Sequence, residues 1–323
     1  MEDSGLICAY ALDGNGGGRE ISLEEASAVS VEKGFIWIHL DYTARGAQRW
    51  LHEKSGLDEI TVSALLAAET RPRTVSIADG LLVTLRGVNL NPGADPEDMV
   101  SLRMWVETGR VISTRMRSLL AVQDIRSMIA DKCGPRTAGE FLVEMSDRLA
   151  VRMSDVIEEL DETVDTLEEQ VLSAESRELR TKLAQLRRET ILLRRYLAPQ
   201  REALARLVAE KNPLLCDVDR MHLREVADRM TRYIEDLDAA RERAAVTQEE
   251  LSNRLSEQIN KRMYVLSIVA AIFLPLGFAT GLLGINVGGI PGAEFAYAFA
   301  IVCLLLVAVI ILQIILFRWK RWL

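Results

Sequence analysis

Two segments near the C-terminus contain no charged residue, and they constrain the fold more than any other feature of the chain. They cover residues 263–283 and 295–317. An α-helix rises about 1.5 Å per residue, so slightly more than 20 residues span the roughly 30 Å hydrocarbon layer of a bilayer. The sequence therefore predicts two transmembrane helices, joined by the loop 284–294.

The charges that flank these segments predict their orientation. Lys261 and Arg262 precede the first segment, the tail 318–323 is basic, and Glu294 is the only charge between the two segments. Since basic flanks remain cytoplasmic, both termini are expected on that side of the membrane. The N-terminus has no basic region followed by an apolar core, so no cleaved signal is expected.

The remainder of the chain is acidic. Before residue 263 there are 36 Lys and Arg against 46 Asp and Glu, a formal net charge of -10. Because nucleic acid attracts basic surfaces, it is not expected as a partner. We find no phosphate loop, nucleophile elbow or zinc-hydrolase signature, which argues against an enzyme.

Cysteine and histidine spacing gives no metal site. The four cysteines lie far apart, without paired spacing, and are expected to be reduced structural thiols. His39, His52 and His222 are also widely separated, so each is expected to be structural or exposed rather than a ligand.

Turn residues and periodicity divide the cytosolic part into two kinds of structure. Residues 1–137 are predicted to form an α+β domain in which strands and helices are interleaved. The predicted elements are strands at 6–12 and 35–40, hairpins at 74–90 and 99–114, and helices at 44–54 and 59–68.

From residue 138 onward the pattern is helical. An acidic helix and an arginine-rich helix are predicted to form an antiparallel hairpin over 138–216, with attraction between their charges. The acidic helix would alternatively attract cations. A third helix, 217–283, has no break before Pro275 and is predicted to be a stalk, on the order of 100 Å long, that continues into the first span.

Alternating steps of three and four residues along this helix select small or polar side chains. We call this set the seam: Asn260, Met263, Ser267, Ala270, Leu274, Gly277, Gly281 and Gly284. Continued toward the N-terminus, the same steps give an acidic stripe of Glu235, Glu242 and Glu249. The seam either lines a pore or lets helices pack closely. A pore would require several subunits around an axis, because two spans cannot enclose one.

The loop 284–294 is the second informative site. Its turn Gly284-Ile285-Asn286 and its four glycines within nine residues would let backbone carbonyls and the Asn286 amide face a central axis. Carbonyl and amide oxygens carry partial negative charge and can hydrogen-bond the water shell of a hydrated cation. The alternative is an ordinary turn between helices. Glu294 would concentrate cations at the mouth or be a solvated interfacial charge.

Several motifs together resemble the CorA family of divalent-cation transporters. The motifs are Trp-Ile-His-Leu at 37–40, Glu-Thr-Arg-Pro-Arg at 69–73, Leu-Arg-Arg at 186–188, Asn-Lys-Arg-Met at 260–263, Phe-Leu-Pro-Leu at 273–276, Gly-Leu-Leu-Gly-Ile-Asn at 281–286 and the basic tail with its tryptophans. Gly-Ile-Asn followed by Val-Gly-Gly-Ile-Pro-Gly is similar to the zinc-transport (ZntB) branch, whereas the magnesium branch usually carries Gly-Met-Asn. Ile285 is the departure that places magnesium in doubt.

The resemblance implies a funnel-shaped homopentamer in the inner (cytoplasmic) membrane, with the first span lining the pore and the second surrounding it. Asn286 with Gly284 would form the outer selectivity ring, where Asn286 meets a hydrated cation. Of the seam, Asn260, Met263, Ala270, Leu274 and Gly277 would face the pore. The family pattern points to Leu266 as a hydrophobic constriction where the seam selects the adjacent Ser267, and this choice stays open. Regulatory metal sites between cytosolic domains are also implied, without assignable residues.

The expected cargo is a divalent cation, with zinc favoured, and no resident cofactor is expected. Zinc prefers His and Cys ligands, which the loop lacks, so the preference for zinc depends on the resemblance. Neither span contains an ionisable side chain, which favours channel-like flux; proton coupling would need Glu294, Glu249 or Glu242. The alternatives are a magnesium or cobalt channel of the same family and a membrane-anchored signalling or scaffold protein.

Overall fold

The computed structural model describes residues 4–28, 33–68, 70–173, 177–284 and 295–319, without the side chains of residues 172, 173 and 177. The chain forms two compact units, Met1–Glu249 and Glu250–Leu323, which we call the first and the second unit. Their boundary lies inside a helix. The predicted divisions at residues 137, 216, 283, 294 and 317 stay predictions.

A seven-stranded mixed sheet organises the first unit. Its strands are β1 (Leu6–Leu12), β2 (Gly18–Glu20), β3 (Ile36–Asp41), β4 (Arg73–Ile77), β5 (Gly80–Gly87), β6 (Val100–Glu107) and β7 (Arg110–Arg115). Their order across the sheet is β2-β1-β3-β7-β6-β5-β4. Strands β3 and β7 pair in parallel, and every other neighbouring pair is antiparallel.

The two predicted hairpins are confirmed, and turn chemistry explains both. Thr108 and Gly109 connect β6 to β7, so that Glu107 pairs with Arg110. Ile77 pairs with Gly80 across the β4–β5 turn. A Cβ atom at Gly80 would come within 2.2 Å of the Trp105 ring, so only glycine fits at this position.

Helices cover both faces of the sheet. On one face lie α1 (Leu23–Ala28), α2 (Arg45–Glu53) and α3 (Glu59–Leu66), whose apolar side chains share a core with β1, β3 and β6. Asp58 caps α3 by accepting hydrogen bonds from the amides of Ile60 and Thr61. On the other face lie α5 (Ala138–Ser173) and α6 (Arg177–Ala209), and the Phe141 ring of α5 is 4.9 Å from that of Trp37.

The remaining helices are α4 (Leu120–Ala130), α7 (Asp217–Leu283) and α8 (Ala298–Trp319). Helix α7 continues through Pro275 without ending. The α+β domain, the long helix and the apolar C-terminal helices therefore agree with the predicted fold class. Strand β2 and helices α1 and α4 were not predicted.

Ion pairs place α7 against the other long helices of the first unit. Arg243 of α7 pairs with three carboxylates of α5, at 2.9 Å from Asp161 and 2.7 Å from Glu168, and also with Asp165. Arg194 of α6 pairs with Asp238 of α7 at 2.7 Å. The acidic part of α5, which was predicted to attract α6, therefore also faces an arginine of α7.

Candidate functional site

Two described helices, α7 and α8, are long and apolar enough to cross a membrane. Many of their large apolar side chains are exposed in the isolated chain: Leu274 is 71% exposed, Leu304 72% and Phe299 82%. Exposed apolar surface of this extent is unfavourable in water. These helices therefore require a bilayer, other protein copies or both.

Helix α8 approaches one side of α7 within the second unit. The Gln313 side chain donates a hydrogen bond to the Ala271 carbonyl at 3.3 Å. A cleft between the helices is lined by Tyr264, Ser267, Ile268, Ala271 and Phe317. The half-buried side chains of α7 continue along its length at helical spacing: Ile268, Ala271, Ile272, Leu276 and Ala279.

The seam is largely outside this set of half-buried residues. Its exposed members are Asn260, Met263, Ser267, Leu274, Gly277, Gly281 and Gly284, and Ala270 is half-buried. The structure thus leaves most of the seam uncovered by the chain's own second span. This agrees with either open alternative, a pore face or a surface for other helices.

The two adjacent constriction candidates differ in their surroundings. Ser267 borders the cleft with α8, and its hydroxyl donates to the Met263 carbonyl at 2.8 Å. Leu266 does not line that cleft and is 63% exposed. Leu266 is therefore the more available of the two for an apolar ring.

Helix α7 ends beside the predicted outer mouth. The Gly284 amide donates to the carbonyls of Thr280 at 2.9 Å and Gly281 at 3.2 Å, which completes the last turn. The C-terminal end of a helix carries partial negative charge, which favours cations. Ile285, Asn286 and Glu294 lie outside the described residues, so their predicted roles remain predictions.

The acidic stripe is exposed on α7 within the first unit. Glu235, Glu242 and Glu249 are all exposed, as is Val246 between the last two. The opposite side of this part of α7 is buried in the first unit, with Leu237 and Ala244 at 1% and 0% exposure. The stripe is therefore available to solvent or to another copy of the chain.

His39 is structural, as expected. It is fully buried, its Nε2 accepts a hydrogen bond from Arg115 Nε at 3.1 Å, and its Nδ1 therefore carries the proton and donates to Ser113 Oγ at 2.8 Å. Burial, with the nearby charges of Arg115 and Arg126, lowers the pKa of His39 to about 3. The histidine is neutral at physiological pH.

In the described part of the chain no group of three or more His, Cys, Asp or Glu side chains could hold a metal ion. The four cysteines are free, and burial raises the pKa of the Cys8 thiol to about 12, which makes it unreactive.

Comparison with known proteins identifies the family. The family model described as CorA-like Mg2+ transporter protein matches residues 32–321. The chain belongs to the CorA-like family. Its members are transporters rather than enzymes, in agreement with the sequence analysis.

Similar relatives match along nearly their whole length. The divalent cation transporter CmaX of Pseudomonas aeruginosa is 42% identical and aligns with 100% of this chain and 98% of its own. The zinc transport protein ZntB of Pectobacterium carotovorum is 38% identical over 96% of this chain and 94% of its own. A solved structure of full-length CmaX has a TM-score of 0.88 at 41% identity and covers 100% of this chain and 99% of that one.

Proposed function

We propose that this protein transports divalent metal cations across the bacterial inner membrane through a central pore of a homopentamer, with zinc as the favoured cargo. The observation that carries the proposal is the seam of α7. It is largely uncovered by α8, in a CorA-like chain whose relatives include proteins named for divalent-cation and zinc transport. Both termini would be cytoplasmic.

The seam supports an oligomer because two spans cannot enclose water. In the proposed assembly α7 lines the pore and α8 surrounds it. Small residues at Ala270, Gly277 and Gly281 would leave room for a hydrated ion. Met263 and Leu266 would form apolar rings that control conduction by dewetting, with Asn260 at the cytosolic end and Leu274 farther out.

The outer mouth would select the ion by oxygen dipoles. Asn286 and the Gly284 backbone would meet a cation that keeps its hydration shell, and Glu294 would raise the local cation concentration. The loop 284–294 contains neither His nor Cys, so tight capture of bare zinc there is not part of the mechanism. A weak site also permits rapid release.

Flux down a gradient is the simplest mechanism for these spans. They contain no Asp, Glu, Lys, Arg or His, so no intramembrane proton relay of the usual kind has a candidate residue. The exposed acidic stripe would attract cations on the cytosolic side. Coupling to protons would require Glu294, Glu249 or Glu242.

The test is uptake into liposomes that contain the purified oligomer. Zinc, magnesium, cobalt and nickel uptake would be measured with and without a pH gradient, for the natural sequence and for Asn286→Ala. Asn15→Ala, in an exposed turn of the first unit, provides the matched control. We expect zinc uptake that Asn286→Ala reduces to near the protein-free background and that Asn15→Ala leaves unchanged.

The other outcomes separate the alternatives. Preferential uptake of magnesium or cobalt would show that one of these ions, rather than zinc, is the cargo. The proposed pore would not be contradicted. Uptake that rises with an imposed proton gradient would show that transport is coupled to protons and is not channel-like flux. Absence of flux for every cation, from folded and correctly oriented protein, would favour the scaffold.

A further inference from the structure

The first unit contains a cavity of about 340 Å³ with an unusual concentration of arginine, and we call it the arginine cavity. It lies between β6, the segment that precedes β6, and α6. Its charged lining residues are Arg86, Arg103, Arg117 and Arg195 together with Glu97 and Asp98. Three of these arginines, Arg103, Arg117 and Arg195, form no ion pair with a described residue.

Arg103 supplies a buried charge for which the described residues provide no counter-ion. It is 1% exposed, and its Nη2 donates to the carbonyls of Ala67 and of Ala68, the latter at 3.3 Å. Its guanidinium lies 4.4 Å from the centre of the Tyr42 ring. Its Nε and Nη1 have no hydrogen-bond partner, and no described carboxylate forms an ion pair with it.

A buried guanidinium of this kind is costly unless a negative charge approaches it. Nε and Nη1 lie beneath the cavity surface, since they expose almost no area. Their positive charge therefore attracts an anion in the cavity across a thin layer of protein. The low dielectric constant of this layer strengthens the attraction.

The rim of the cavity carries arginines that a ligand can reach directly. Arg117 and Arg195 are exposed, and neither forms an ion pair with a described residue. Arg86 is held in place: its Nη1 donates to the Met99 carbonyl at 2.6 Å, and its guanidinium lies 4.0 Å from the centre of the Tyr196 ring. The cavity thus combines a fixed wall with two available guanidinium groups.

The carboxylates do not neutralise this site. Glu97 and Asp98 form no ion pair with any arginine of the cavity among the described residues, although both line it. An anionic ligand would supply a negative charge to Arg103, Arg117 and Arg195. Guanidinium groups bind phosphate and carboxylate through paired hydrogen bonds.

We propose that the arginine cavity binds a small molecule that carries a phosphate or carboxylate group, with Arg117 and Arg195 contacting the anion and Arg103 attracting it from beneath. The cavity volume is at the lower end of the range for small-molecule sites, so it holds more than one inorganic ion. The site lies entirely within the first unit and does not depend on transport.

The experiment is isothermal titration of the full-length protein in detergent, in buffer made metal-free with a chelating resin, with inorganic phosphate and with citrate as probes. Chloride at matched ionic strength measures the unspecific contribution. The test variant is Arg117→Gln with Arg195→Gln, both at exposed positions where we expect substitution to leave folding intact. Arg188→Gln, also exposed and on α6 but outside the cavity, is the matched control.

We expect saturable binding of phosphate or citrate that is about tenfold or more weaker in the double variant and unchanged in Arg188→Gln. Binding no stronger than that of chloride would overturn the proposal. An equal loss in Arg188→Gln would also overturn it, because the effect would then reflect general surface charge. A failure of zinc uptake would leave this result unaffected.

Discussion

The same kinds of side chain have opposite surroundings in the two units. In the first unit Trp37 and Leu102 are completely buried within their own chain. In the second unit Leu274, Phe299 and Leu304 are each more than 70% exposed. The first unit therefore buries its own core, whereas the second unit must obtain its burial from lipid or from further copies.

Matched leucine substitutions test this difference where the effect should be largest. Leu102→Ala creates a cavity in the sheet core and should lower the free energy of unfolding by about 2–5 kcal/mol. Leu274→Ala should cost less than about 1 kcal/mol, because little packing is lost at an exposed position that would face water in the proposed pore.

Two signals separate the units in denaturant unfolding of the detergent-solubilised protein. In a background with Trp319→Phe and Trp322→Phe, tryptophan fluorescence reports the first unit through Trp37, Trp50 and Trp105, and the helical circular dichroism signal that does not change together with this fluorescence reports the second unit. If Leu274→Ala destabilised the helical signal as much as Leu102→Ala destabilises the sheet, Leu274 would be a packing residue and its place in the proposed pore would be lost.

The pH dependence of stability should also arise from the first unit, at His39. Its folded-state pKa of about 3 is below the ordinary value near 6.5, so below pH 6.5 the unfolded state binds a proton that the folded state does not. Stability should therefore fall as the pH falls from about 6.5 toward 3, by up to about 1.4 kcal/mol per pH unit. Unfolding curves between pH 7.5 and pH 5 measure this slope.

A substitution isolates the contribution of this histidine. His39→Gln keeps a donor and an acceptor without a titrating group and should flatten the slope, while His222→Gln at an exposed position should not. If the slope survived in His39→Gln, the acid sensitivity would come from other groups.

Local signals explain which parts of the fold could be predicted. Alternating apolar residues and the turn signals Asp79-Gly80 and Thr108-Gly109 are encoded within a few residues, and both hairpins formed, although the first turn consists of Ala78 and Asp79 and Gly80 already belongs to β5. Strand β2 has only three residues and α1 only six, which is too short for a periodic pattern. Helix spacing alone identified the seam, whose proposed function as a pore face would depend on other copies of the chain.

Long-range contacts account for what the sequence could not provide. Arg103 stands between the apolar residues Leu102 and Met104 of β6, a visible signal, but the arginine cavity forms only when β6 meets Arg195 from a helix that is distant in the chain. Arg243 likewise finds its carboxylates about 80 residues away in the sequence. No local pattern specifies either arrangement.

The smallest expected effect concerns Arg243, because its carboxylate partners are more exposed than the buried groups above. Arg243 meets three carboxylates, and the hydrogen bonds that it donates to Glu168 and Asp165 raise the pKa of its guanidinium, so it stays charged at any accessible pH. Two of the partners, Asp161 and Asp165, are more than 60% exposed, which limits the gain from the network. Arg243→Ala should lower the free energy of unfolding by about 1 kcal/mol at low salt. The effect should be smaller at 1 M salt, because the Debye length is then only about 3 Å and the ion pairs are screened.

The control for this network is Arg19→Ala, which removes a single exposed pair with Glu25 and should change stability by only a few tenths of a kcal/mol. Denaturant unfolding at the two salt concentrations compares the variants. An Arg243→Ala effect no larger than that of Arg19→Ala would mean that three partners contribute no more than one at this surface. The first unit would then owe its stability to its buried core, and the contrast with the second unit would be one of burial alone.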